Sequence, residues 1–260
     1  EKEYGIPFSY IDITKEYDNL VMNPKIRKTK IKARDLENEI SKLQQESGYP
    51  YIINIDTANR SNPIDGKIIM SNLCSEILQV QEPSVINGKQ EYEVLGTDIS
   101  CNLGSTNIVN LMDSPDFGKS VRAMTRALTF VTDASDIDVV PSIQNGNALN
   151  HTIGLGAMGL HTYFAKNQME YGSPESLEFT DLYFMLLNYW TLVESNNIAK
   201  ERGEVFHNFE KSAYADGSYF TDYITGDYQP KSDKIKALFD GVFIPSGEDW
   251  AALAEAVKKD

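Results

Sequence analysis

Asn72, Cys74 and Glu76 place an amide, a thiol and a carboxylate at every second position of the run Ser-Asn-Leu-Cys-Ser-Glu, residues 71–76. In an extended segment, side chains two apart share a face, so these three would point together while Leu73 and Ser75 point away. The plain structural alternative is an edge strand with a half-buried cysteine. Two chemistries fit the trio. In a thiol-dependent hydrolase, a base activates the cysteine for attack on a carbonyl. Histidine usually does this, and His151, His161 and His207 are the candidates. A carboxylate beside the thiol works against it by disfavouring the thiolate. In the second chemistry the cysteine stays neutral and gives up a hydrogen atom. The resulting thiyl radical can take hydrogen from a carbon bearing oxygen, while the carboxylate accepts the hydroxyl proton and the amide holds neighbouring hydroxyls.

The surrounding chain supplies elements to position such a site. Residues 50–55 (Pro-Tyr-Ile-Ile-Asn-Ile) read as a buried strand. They lead into a polar loop, residues 56–66, closing on Asp65-Gly66. Asn87-Gly88, flanked by Val85-Ile86 and Tyr92-Glu93-Val94, predicts a hairpin with a type I′ turn. Behind it comes the second cysteine, Cys101, in Ile-Ser-Cys-Asn-Leu-Gly-Ser, residues 99–105.

Residues 49–78 and 97–111 resemble the catalytic finger loop and the following barrel strand of the large subunit of class I ribonucleotide reductase. The wording around residues 56–75 is similar to the class Ib branch. His151-Thr-Ile-Gly-Leu-Gly156 extends the resemblance over most of the chain. The resemblance implies a helix-rich slice of an α/β fold, the family's ten-stranded α/β barrel, with residues 1–260 all belonging to that one catalytic domain. It implies that Cys74 is the transient thiyl that takes the ribose 3′-hydrogen, Glu76 the general base on the 3′-hydroxyl, and Asn72 the group orienting substrate. Leu73 and Ser75 would add backbone contacts to the substrate. Cys101 would be one of two redox cysteines that deliver reducing equivalents at the 2′-carbon.

The substrate implied is a ribonucleoside diphosphate, reduced for DNA synthesis. The partners implied are a radical-generating small subunit with a dimetal-tyrosyl centre, a thioredoxin- or glutaredoxin-like reductant, and a second copy of the full-length subunit. The resemblance implies no cofactor bound by these residues and no metal site, with ATP and other allosteric nucleotides binding elsewhere. In the family, the partner of Cys101 lies upstream, and the phosphate loop, tyrosine relay and terminal cysteine pair lie downstream. The absent initiating methionine and the stop at Asp260 within an apparent helix therefore lead us to expect a central piece, inactive alone. A folding or interaction module without activity remains the third alternative.

Composition agrees with a globular protein: 41% hydrophobic and 24% charged residues. A net charge of −14 argues against a general nucleic-acid or membrane-surface binder. Two cysteines without CxxC spacing make no zinc site by themselves, and three scattered histidines add little. Neither a signal peptide nor an apolar run of about 18 residues is present, which points to a reducing cytoplasmic setting. The six basic residues among positions 25–34 read as a solvated face. Leu36, Ile40 and Leu43 mark an amphipathic helix ending near Gly48. Ser114-Pro115 predicts a helix start, with a core stripe of Val121, Met124, Leu128 and Val131. Ser173-Pro174 predicts another, apolar around most of its circumference from Leu182 to Val193. A last helix is capped by residues 246–249. Gly154–Gly159 matches GxGxxG, yet only Thr152-Ile153 precedes it and Glu178 and Asp181 fall in a helix. Close packing at a strand-to-helix turn explains the glycines better than dinucleotide binding.

Overall fold

A computed structural model describes residues 1–259. Its contacts gather into two compact units, one formed by residues 1–62 and 66–82, the other by residues 63–65 and 83–260.

In the first unit, helices α1 (Ile13–Met22), α2 (Ala33–Ser47) and α3 (Ile55–Arg60) are joined by irregular chain. Asp12 caps α1 by accepting from Lys15 N, and α2 ends on left-handed Gly48, where a residue without Cβ is least strained. The stripe of α2 forms, but Leu36 and Leu43 stay exposed. Thr14 donates to Asp56 Oδ2 from both its backbone N (2.8 Å) and its Oγ1 (2.7 Å), tying α1 to α3. Asn59 of α3 treats Ile68 as a strand neighbour would, accepting from its N (2.9 Å) and donating to its O (2.8 Å). The expected strand at residues 50–55 is not there. Residues 50–54 are irregular, Tyr51 and Ile52 are exposed, and Ile55 opens α3. A short apolar run carries no information about whether another strand will pair with its backbone.

The second unit opens with the expected hairpin, β1 (Val85–Ile86) antiparallel to β2 (Tyr92–Val94). Its turn is longer than type I′: Asn87 N donates to Glu91 O, and Gln90 rather than Asn87-Gly88 takes the left-handed conformation. Strands β3 (Leu103–Asn107) and β4 (Gly154–Met158) then pair in parallel, in register from Leu103↔Gly154 to Asn107↔Met158. Parallel neighbours need a long crossover. Here it is helical: α4 (Ile108–Met112), α5 (Phe117–Ala134) and α6 (Pro141–Asn150). After β4 come α7 (Leu160–Lys166), α8 (Pro174–Arg202), α9 (Ala213–Asp216), α10 (Thr221–Thr225), α11 (Asp233–Leu238) and α12 (Gly247–Lys259).

The core forms around α8, whose Phe179, Tyr183 and Leu186 are fully buried with Trp250 of α12, Phe220 and Ile235. Its start is the expected one, Ser173 before Pro174, and left-handed Gly203 ends it. Ser246 and Asp249 cap α12 reciprocally. On α5 the N-cap is Asp116 rather than Ser114, and the buried face is Phe117, Gly118, Val121, Thr125, Leu128, Thr129 and Thr132, leaving Val131 exposed. The threonine hydroxyls donate to carbonyls four residues back at 3.0–3.1 Å. Each then needs no other partner and packs like valine. The first two glycines of the GxGxxG match lie inside β4, and Gly159 (φ 84°) caps α7. A dinucleotide loop follows its strand, so this arrangement excludes that use of the motif.

Candidate active site

Residues 71–77 form a small loop closed upon itself. Asn72 O accepts from Ser75 N at 3.1 Å, making a turn in which Ser75 takes a left-handed φ of 64°. Asn72 Oδ1 accepts from Ile77 N (3.1 Å), and Ser71 Oγ donates to Ile77 O (2.5 Å). Ile77 is buried and anchors the base. The expected extended segment is therefore a turn, and alternation does not set the directions of Asn72, Cys74 and Glu76. Serine and asparagine side chains compete for nearby backbone groups, and that competition favours turns over strands. Cys74 and Glu76 are exposed, Leu73 is 84% exposed, and Asn72 and Ser75 are half-buried.

Two further residues belong to this neighbourhood, and sequence reasoning gave them no role. The rings of Tyr49 and Tyr51 lie 5.0 Å apart. The Tyr51 phenol is held above its ordinary pKa, first by the charge of Tyr49 and a hydrogen bond with it, then by partial loss of solvation, and last by Cys74 and Glu76. Tyr51 is thus within electrostatic reach of both Cys74 and Glu76. The only hint in the sequence was the spacing Tyr-Pro-Tyr, which reads equally well as strand.

Cys101 belongs to the second unit and immediately precedes Asn102, whose carbonyl accepts from Gly154 N (2.9 Å) at the start of the β3–β4 pairing. Both cysteines are exposed thiols rather than a disulfide. Ser100 and Asn102, on either side of Cys101, are hydrogen-bonded to α6.

Elsewhere in this unit, a cavity of about 270 Å³ is lined by residues that include His151, Arg202, Phe206 and Tyr214. His151 Nδ1 lies 3.4 Å from Asp133 Oδ1, and Arg202 pairs with the same carboxylate. Among the described residues, no group of three or more His, Cys, Asp and Glu side chains is placed to hold a metal ion, and no helix is long and apolar enough to cross a membrane.

Residues 1–260 match the family described as "Ribonucleotide reductase, barrel domain". The chain is 43% identical over 254 residues to the "Ribonucleoside-diphosphate reductase subunit alpha" of Bacillus subtilis (strain 168), covering 97% of this chain and 36% of that protein. It is 44% identical over 265 residues to the protein of the same name from Mycoplasma pneumoniae, covering 100% and 37%. The chain therefore spans little more than a third of these relatives' length. Among solved structures, the Actinobacillus ureae class Id ribonucleotide reductase alpha subunit superposes with a TM-score of 0.56 at 20% identity, over 94% of this chain and 48% of that one. That likeness shows the fold, in which a parallel strand pair with a helical crossover is a slice of an α/β barrel. With a family match running from the first residue to the last, this chain belongs to the ribonucleotide reductase barrel-domain family.

Proposed function

We propose that this chain is the central part of a class Ib-like large subunit that reduces ribonucleoside diphosphates by thiyl-radical chemistry. One observation carries the reading: in a loop closed by Asn72, the Cys74 thiol and the Glu76 carboxylate two residues on are both exposed. A radical originating on a small subunit reaches Cys74, whose thiyl takes the 3′-hydrogen of the ribose. Glu76 takes the proton of the 3′-hydroxyl, which favours loss of the 2′-hydroxyl as water. Cys101 and a second thiol supply two electrons and two protons and end as a disulfide. Cys74 then returns its hydrogen to the 3′-carbon and regains the radical. The net change is one ribonucleotide and two thiols giving one deoxyribonucleotide, one water and one disulfide. A thioredoxin- or glutaredoxin-like protein resets the disulfide.

Asn72 holds the finger turn through Oδ1 and contacts the substrate, while Leu73 and Ser75 offer backbone groups. The intact subunit works as a homodimer under nucleotide control, in a reducing cytoplasm that keeps the cysteines as thiols. The test is turnover by the intact subunit with its small subunit and a dithiol. Glu76→Gln keeps the shape and removes the base, so kcat should fall about 10²–10⁴-fold with KM little changed. Cys74→Ser should abolish turnover, because an alcohol O–H is too strong a bond to replace the thiol. Near-parental turnover by Glu76→Gln would remove the carboxylate from the mechanism.

A further inference from the structure

The segment carrying Cys101 is held from behind by one buried amide. Ser100 Oγ (2.8 Å) and Asn102 Nδ2 (2.7 Å) both donate to Oδ1 of Asn147, in α6. Side chains one residue either side of Cys101 that meet on one acceptor lie on one face of the backbone. Cys101, between them, is exposed while Asn102 is buried. The orientation of the Asn147 amide is dictated by its partners. Its Nδ2 donates to the carbonyl of Thr132 in α5 at 2.6 Å, so exchanging O and N would set donor against donor and acceptor against acceptor. Asn102 Nδ2 also donates to Thr152 O (3.2 Å), joining the clamp to the chain that leads into β4.

The same helix fixes the chain upstream of the cysteine. Asp98 N donates to Ser142 O (3.0 Å), and Ser142 Oγ donates to Asp98 Oδ2 (2.6 Å). Gly146 lies so close to Asp98 that a Cβ there would come within 2.3 Å of its carbonyl oxygen. The buried residues of α6 are Ser142, Gly146 and Asn147. Each of the three holds the segment 98–102. A helix that served only stability would bury apolar side chains, which add hydrophobic area and leave no polar group to satisfy. A fully bonded buried polar network is instead rigid and specific in register.

We propose that Asn147 is a positioning residue for Cys101, fixing the backbone on both sides so that the thiol is held outward for its redox partner. The proposal rests on the redox role assigned to Cys101 above, and the experiment separates the two. In the intact subunit, Asn147→Ala, Asn147→Asp, Cys101→Ser and a core control, Leu253→Ala, are compared. The readouts are amide hydrogen exchange of residues 98–103, the ratio of Cys101 to Cys74 alkylation by peptide mapping, and turnover.

Asn147→Ala should speed exchange in 98–103 about tenfold, change the alkylation ratio, and lower kcat with KM unchanged. Leu253→Ala, at least as destabilised but distant in sequence, should keep the parental ratio. In Asn147→Asp, the protonated acid can again donate to Thr132 O while its other oxygen accepts from Ser100 and Asn102. The ratio should therefore return to the parental value as pH falls through the new carboxyl's titration, which a general loss of packing would not produce. Parental exchange and alkylation in Asn147→Ala would overturn the clamp and leave the redox assignment standing. Parental turnover by Cys101→Ser would instead overturn the redox assignment, and with it the catalytic meaning of the clamp.

Discussion

Gly146→Ala tests the contact between α6 and the Cys101 segment without removing a hydrogen-bonding side chain. The added Cβ would stand 2.3 Å from Asp98 O, 3.2 Å from its N and 3.3 Å from its C. All three are backbone atoms, so no flexible side-chain end can swing aside. Relief requires α6 and residue 98 to separate by about 1 Å, an overpacking cost of about 1–3 kcal/mol. That separation also stretches the bond from Asp98 N to Ser142 O, worth about 1 kcal/mol. Against this, alanine is the better helix former by about 1 kcal/mol. The net expectation is a loss of about 1–3 kcal/mol, with the steric term deciding the sign. Gly156→Ala is the matched control. Its Cβ would meet Ser105 Oγ at 3.5 Å and Gly104 O at 3.8 Å, ordinary contacts, and it should change stability by less than about 0.5 kcal/mol. Urea denaturation of the two variants beside the parent, followed by far-UV circular dichroism, reads the difference. If Gly146→Ala matched or exceeded the parent while Gly156→Ala lost stability, the close approach of α6 to Asp98 would be wrong, and the positioning argument would lose its upstream half.

Two further outcomes follow from single bonds. Tyr183 Oη and Thr106 Oγ1 are 2.8 Å apart and buried, and Thr106 Oγ1 also donates to Gly156 O. Tyr183→Phe should therefore cost about 1 kcal/mol, read by the same denaturation; an unchanged midpoint would mean that α8 is not hydrogen-bonded to β3. The two bonds from Thr14 hold the Asp56 carboxyl below its ordinary range. A depressed folded pKa adds stability above the unfolded value and loses it as pH falls through the folded one. Thr14→Val removes the hydroxyl donor, so the Asp56 carboxyl resonance should titrate at higher pH than in the parent; an unmoved titration would separate α1 from α3.

What the sequence made legible was local. The N-terminal caps of α8 and α12, the glycine end of α2 and the apolar girth of α8 are each decided within a few residues, and all of them form where the residue types predict. The motif around Cys74 was legible as a family pattern. Its conformation was not, because whether residues 71–76 extend or turn depends on whether a neighbouring strand takes up their backbone groups, and here Asn72 and Ser71 take up those of Ile77 instead. The same ambiguity undid the strand at residues 50–55. On α5, the hydrophobic stripe misjudged the buried face because threonine counts as polar until its hydroxyl has bonded back to the helix, after which it packs as an apolar residue.

Asn147 marks where local reading ends. Within its own helix an asparagine is a weak former with no partner at helical spacing, and nothing near it in sequence distinguishes it from a solvent-facing residue. Its meaning comes from Asn102 and Ser100, 45 and 47 positions away, which reach it only because β3 and β4 pair in parallel and the crossover brings α6 back beside the start of β3. Topology thus converts an unremarkable side chain into one whose two ends are both committed, Oδ1 to the residues flanking Cys101 and Nδ2 to α5. A thiol at a strand's beginning would ordinarily share the mobility of the loop before it. On the redox role proposed for Cys101, one held from both sides through a buried amide would meet its partner from a fixed position, and that difference would separate a cysteine that is merely exposed from one placed for exchange.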